Sequence, residues 1–126
     1  MMRLLALAGL LAVAVPVFAV PVLAAPQRPA PGRYAVDLAS CVSKDFFLTV
    51  RSTGFESSVF SCEGLTFFLR GEAGDRTLWQ VDGKTCVGLH AGSPGPKRFQ
   101  MEAMPNRLRI AWPDGTPAST FLRCAP

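Results

Sequence analysis

The stretch RFQMEAMPNRLRIAW, residues 98–112, decides the fold class. Phe99, Met101 and Ala103 alternate with Arg98, Gln100 and Glu102, and Leu108, Ile110 and Trp112 stand at the same period after them. Successive side chains of a strand point to opposite faces, so this alternation marks two strands with one apolar side each. Turning both apolar sets to one face makes Met104-Pro105-Asn106-Arg107 the loop of a hairpin. Glu102 then stands opposite Arg109 on the polar face, an exposed pair worth at most a few tenths of a kcal/mol.

Outward from this hairpin the same signature recurs. Strands are expected at Gly32–Asp37, Phe46–Arg51, Phe55–Ser61, Leu65–Arg70, Arg76–Asp82, Lys84–His90, Arg98–Ala103, Arg107–Trp112 and Ser119–Cys124. Leu38-Ala39-Ser40-Cys41 is expected to form one helical turn, and nowhere after residue 32 does a helical apolar period last longer than that. Short strands separated by Gly, Pro and Asp define an all-β chain: a single small antiparallel meander of about eight or nine strands, forming a barrel or a sandwich. Asp82-Gly83 reads as a two-residue turn, because such turns want positive φ at both positions. That register sets Val81 against Lys84 and Trp79 against Cys86, with Trp79 lying on the disulfide of Cys86. Ser52-Thr53-Gly54 links another hairpin. Adjacent phenylalanines point to opposite faces, so Phe47 and one of Phe67 and Phe68 require cover from a second layer or a partner.

Residues 1–24 read as a secretory signal. Arg3 is the only charge before Arg28, and Leu4–Ala25 consists of Leu, Ala, Val, Gly, Pro and Phe. Small residues permit cleavage after Ala19 or after Ala24, and Ala24 is the expected site. The run is long enough to span a bilayer, for which roughly 20 apolar residues suffice. Pro16 and Pro21, however, interrupt its second half, and no basic cluster follows it. No integral membrane segment is expected after leader removal, and the destination is the periplasm or the medium. Residues 25–32 read as a Pro-rich spacer, extended and mobile, and residues 33–126 as one disulfide-bonded domain. That remainder, about 100 residues, suffices for one domain and not two. The whole chain carries a net charge of +4, one unit of which leaves with Arg3. So mild a balance argues for neither nucleic acid nor strong membrane adsorption.

The 4 cysteines, Cys41, Cys62, Cys86 and Cys124, all lie beyond the leader. An even number in a short exported chain implies two structural disulfides. Zinc sites and redox motifs favour close C-x-x-C pairs, which are absent here. Any of the three pairings is open to sequence; Cys41–Cys62 with Cys86–Cys124 is favoured because each half then closes its own loop.

Catalytic residues, cofactor and metal are all expected to be none. His90 is the single histidine and reads as a strand-end residue near solvent. Nucleophile elbows, His-Glu-x-x-His and phosphate-binding glycine loops do not occur. Glu56 and Glu63 can be paired on paper, but sequence gives no reason to bring them to catalytic distance. The candidate contact surface is the Pro-rich loop from His90 to Arg98, with Ser93, Lys97 and Arg98 as its polar residues. The other candidate is the barrel interior, if it is wide enough to hold a ligand.

Two resemblances bear on this reading. Tyr34-Ala35-Val36-Asp37…Cys41…Leu48-Thr49-Val50…Gly54-Phe55-Glu56-Ser57…Cys62 resembles a pattern in small exported bacterial proteins. Those run from an aromatic strand to a Cys and through a hairpin to a Glu-Ser…Cys strand. The resemblance covers about thirty residues, implies Cys41–Cys62 and brings no activity. The chain is also similar to the periplasmic inhibitors of C-type lysozyme in size, leader, barrel class and disulfide use. Their inhibitory Ser-Gly run leading to Tyr is missing, and the one tyrosine, Tyr34, stands near the mature N-terminus instead. The expectation is an exported, non-catalytic domain that binds an unknown ligand or envelope protein. Inhibition of a cell-wall-cleaving enzyme is the alternative.

Overall fold

In the computed structural model, which describes residues 9–19 and 26–126, the 98–112 hairpin forms as its alternation dictates. Met104 pairs with Arg107, Ala103 with Leu108, Glu102 with Arg109 and Met101 with Ile110. Pro105 has its φ fixed negative by its ring, and Asn106 supplies the one positive φ (56°) of the two-residue turn. Phe99, Met101, Ala103, Leu108, Ile110 and Trp112 are all buried. Glu102 Oε2 lies 3.7 Å from Arg109 and its other oxygen 3.6 Å from Arg76.

Around this pair the chain winds as a meander of eight strands. In order they are β1 (Gly32–Ala35), β2 (Leu48–Val50), β3 (Gly54–Ser57), β4 (Ser61–Ala73), β5 (Arg76–Val87), β6 (Gly95–Met104), β7 (Arg107–Ala111) and β8 (Ser119–Arg123). Each pairs antiparallel with its sequence neighbours, and β8 pairs with β1, so the sheet is a closed barrel and not a sandwich. Closure removes most of the exposed sheet edge that an open meander would leave. A short helix α1 (Leu38–Val42) joins β1 to β2, and a 3-10 turn (Leu89–Ala91) follows β5.

Two expected strands, Arg76–Asp82 and Lys84–His90, are one. Asp82-Gly83 is no turn: β5 runs straight through it, with Val81 opposite Phe67, Asp82 opposite Thr66 and Gly83 opposite Leu65. The turn is Gly74-Asp75, where Gly74 has φ 61°. Trp79 accordingly pairs with Leu69 and Met101, and not with Cys86. Gly83 is glycine for a different reason. A Cβ there would collide with Cys86 Sγ and lie 3.0 Å from Cys62 Sγ, so the strand passes directly against a disulfide.

That disulfide is Cys62–Cys86, and the other is Cys41–Cys124; the pairing expected from sequence is wrong on both counts. Cys62 and Cys86 face each other across β4 and β5, with Cα atoms 4.2 Å apart. Cys41 and Cys124 meet because barrel closure brings the two ends of the domain together. Local loop closure was the wrong guide, since in a closed meander the first and last strands are neighbours.

The interior is filled with rings. Phe60 packs against Phe55, Phe99 and Trp112, with centroids 5.2–5.6 Å apart, and Trp112 packs edge-on against Phe121. Phe47 precedes β2 and stacks on Phe121 at 4.9 Å, so the barrel itself covers it. Phe67 turns inward onto Trp79, whereas Phe68 on the outer face stays 46% exposed.

The Pro-rich spacer docks on the barrel. Trp79 Nε1 donates to Gln27 O (2.8 Å), the Tyr34 hydroxyl donates to Ala30 O (2.6 Å), and Arg28 lies over the rings of Phe67 and Trp79. β4 pairs with β3 only through Gly54–Glu63 and Phe55–Cys62, so its later residues and β5 overhang the short strands. Gln27 and Arg28 cover the inner face of that overhang. Residues 9–19, within the segment expected to be a leader, form neither helix nor strand, and the expected cleavage site at Ala24 lies outside the described residues.

Candidate functional site

The barrel contains aromatic and aliphatic side chains where a ligand chamber would be, as small eight-stranded barrels commonly do. Lys97 and Arg98 are strand residues of β6, while Ser93 lies in the preceding loop. Lys97 Nζ donates to Ser93 Oγ at 3.3 Å, but Arg98 turns away to form a two-point pair with Asp82 (2.8 and 3.1 Å). Arg98 holds the Asp82 carboxyl below the usual carboxylate range. The three residues do not converge on one spot.

His90 sits in the 3-10 turn, not on a strand. Its Nδ1 lies 3.2 Å from Asp114 Oδ2 and 3.3 Å from Thr116 Oγ1, and its ring rests on Trp112. Asp114 is held below its ordinary range mainly by the backbone and hydroxyl of Thr116, with His90 adding less. The arrangement ties the 3-10 turn to the β7–β8 loop. Glu56 and Glu63 do come together, but onto Arg51, which bonds both and offsets one of their two charges. Among the described residues no group of His, Cys, Asp and Glu is disposed to hold a metal ion.

A different site is assembled where the barrel closes. Asp37 caps α1, its Oδ1 accepting from Ser40 N at 2.7 Å. That bond holds its carboxyl below the usual range. The helix ends at Ser43, and Lys44 follows with φ 61° while its N–H donates to Cys41 O. This left-handed position after a helix is usually glycine; a side chain there costs roughly 1 kcal/mol. Asp45 N then bonds Ser40 O and Phe47 N bonds Tyr34 O, returning the chain along β1. Cys124 N donates to Arg33 O at 2.8 Å, and the Cys41–Cys124 bridge fixes the loop to the end of β8.

The result is a cleft of about 540 Å³ lined by Gly32, Arg33, Cys41, Lys44, Phe46, Arg123 and the segment Cys124–Pro126. Its size falls in the range of small-molecule sites. Arg33 lies over the Phe46 ring at 5.1 Å. Arg123 is braced from behind, its Nε and one terminal nitrogen donating to Pro31 O at 3.1 and 2.7 Å. Among the described residues none of the three cations forms an ion pair. Sequence reading passed over all of them. The only signal available was the adjacency of β1 and β8, which exists once the barrel is closed.

Comparison of the chain with protein families, curated proteins and solved structures finds no match. Among the described residues no helix is long and apolar enough to cross a membrane. The two disulfides are compatible with an oxidising, extracellular environment.

Proposed function

We propose that this chain is an exported, non-catalytic domain of the cell envelope that binds its ligand on the outside of the barrel. The observation that carries the reading is the ring-packed interior. Phe55, Phe60, Phe99, Trp112 and Phe121 occupy the space that a ligand-carrying barrel leaves open. The leader and the two bridges support export to the periplasm or medium. The engagement of His90 with Asp114, Thr116 and Trp112 supports a structural role for the one histidine.

Hydrogen exchange of the purified protein, with and without an envelope fraction of its own cells, tests this. Protection is expected on one outer patch while the core strands exchange as before. No protection anywhere sinks the binding reading, and a turnover abolished by His90→Ala sinks the non-catalytic one.

A second reading, inhibition of a cell-wall-cleaving enzyme, draws on the Lys97–Ser93 bond. It holds the exposed Ser93-Pro94 tip in one shape, as pre-organised contact loops require. Slowing of lysozyme turnover at micromolar domain is the expected sign, and its absence removes this reading for that target.

A further inference from the structure

We infer that the cleft at the β1–β8 seam is a binding site for an oxyanion, phosphate or carboxylate, carried on an apolar or aromatic body. The inference rests on the outer-surface reading above and adds the place and the ligand chemistry.

Three observations converge on it. The first is charge: Arg33, Lys44 and Arg123 come from β1, the loop after α1, and β8, and no carboxylate side chain lines the cleft with them. Of the nearest acids in sequence, Asp37 caps α1 and Asp45 is not part of the lining, while the α-carboxylate of Pro126 is the one negative group set against the three cations. The second is pre-organisation. Two nitrogens of Arg123 are fixed on Pro31 O, and the Arg33 guanidinium is stacked on Phe46, so two planar forks are held before any ligand arrives. Such forks match the geometry of carboxylate and phosphate oxygens. The third is Lys44 itself. The backbone at that position is one that glycine occupies best, yet a cation stands there, in the wall of the cleft. Strain kept at a conformationally unfavourable position is a recurrent mark of functional sites. Phe46 and the Cys41–Cys124 bridge supply an apolar wall, which selects against a bare inorganic ion.

The test is an amide NMR titration of the oxidised protein with phenyl phosphate, with inorganic phosphate in parallel. Saturable shifts are expected at residues 33, 44–46 and 123–124 with phenyl phosphate, and weaker ones with inorganic phosphate. Lys44→Gly and Arg33→Gln should each weaken phenyl phosphate at least about fivefold, and added salt should weaken it further. Lys84→Gln removes the same charge outside the cleft and should leave the affinity unchanged. Lys44→Gly also carries its own check on folding, since its Tm should hold or rise as its affinity falls. Sedimentation with vesicles containing phosphatidylglycerol identifies the source. Binding that Lys44→Gly abolishes puts the oxyanion on a lipid headgroup, and phenyl phosphate binding without sedimentation puts it on a soluble ligand. Both outcomes support the site. No saturable shift, equal response to the two phosphates, or equal loss in Lys84→Gln overturns it. The outer-surface reading then still stands or falls on its own exchange measurement.

Discussion

Replacing each disulfide in turn separates the observed pairing from the one that local loop closure suggests. Cys41–Cys124 closes a loop of 83 residues, for which chain entropy gives about 4.5 kcal/mol of stabilisation. Cys62–Cys86 closes 24 residues, which gives about 3.4 kcal/mol. Its sulfurs are the more deeply buried, so their removal adds a cavity penalty of about 1 kcal/mol and brings the two losses close together. Each is a large part of the roughly 5–15 kcal/mol that holds a domain folded. In a domain of this size the corresponding fall in Tm is roughly 20–35 °C. The discriminating number is chemical. Cys41→Ala/Cys124→Ala leaves Cys62 and Cys86 bonded, so no thiol should titrate after unfolding in denaturant without reductant. The alternative pairing leaves both remaining cysteines free in the same variant. A urea melt with a thiol count on each double variant measures both quantities. Free thiols in either variant, or a stability loss under about 1 kcal/mol, would refute the reasoning.

Gly83→Ala should destabilise by about 1–3 kcal/mol, because its methyl group has to enter the space of the Cys62–Cys86 sulfurs; a urea midpoint equal to wild type contradicts this. Trp79→Phe deletes the bond to Gln27 O and should cost about 1 kcal/mol. Amide exchange at residues 27–31 should rise in the same variant, and unchanged exchange shows that the spacer does not depend on Trp79. Stability should also vary with pH at both extremes. Asp37, Asp82 and Asp114 have folded pKa values below the unfolded 3.8, so the stability they contribute is present above about pH 4 and is lost as pH falls further. Burial raises the Tyr34 hydroxyl above 10.0, so its contribution is complete below that pH and is lost as pH climbs through the raised value. Thermal melts from pH 2 to 11 should show a plateau between these limits, and a maximum confined to neutral pH contradicts the assignment.

What the sequence carried well was alternation. Residues 98–112 specified register, turn and buried face together, because only one arrangement puts all six apolar residues inside. Closure of the sheet was legible as a class, barrel or sandwich, but not as a choice, since it depends on β1 meeting β8 across the whole chain. The Asp82-Gly83 error has a definite source. A glycine after an aspartate is a turn signal when its φ is positive, but Gly83 is needed for lack of a Cβ beneath a disulfide. Counted from the correct turn, Gly74-Asp75, Cys62 would fall opposite Val87; the bulge between Leu69 and Gly71 shifts the register by one and brings it opposite Cys86, and no residue pattern announces that bulge. The Arg98–Asp82 pair was hidden for a related reason, since reading Asp82 as a turn residue takes it off the strand face that Arg98 shares. The seam cleft was beyond sequence reading altogether, for its cations lie far apart in the chain and follow no motif.

We propose that this barrel works outside the cytoplasm, with its seam locked after export. Mass spectrometry of the unreduced protein recovered from the periplasm or medium tests it most directly. A chain beginning near Ala25 is expected, with one linked peptide pair joining Cys41 to Cys124 and another joining Cys62 to Cys86. A membrane-retained chain that still carries the residues before Ala19, with its thiols reduced or crossed, would contradict it.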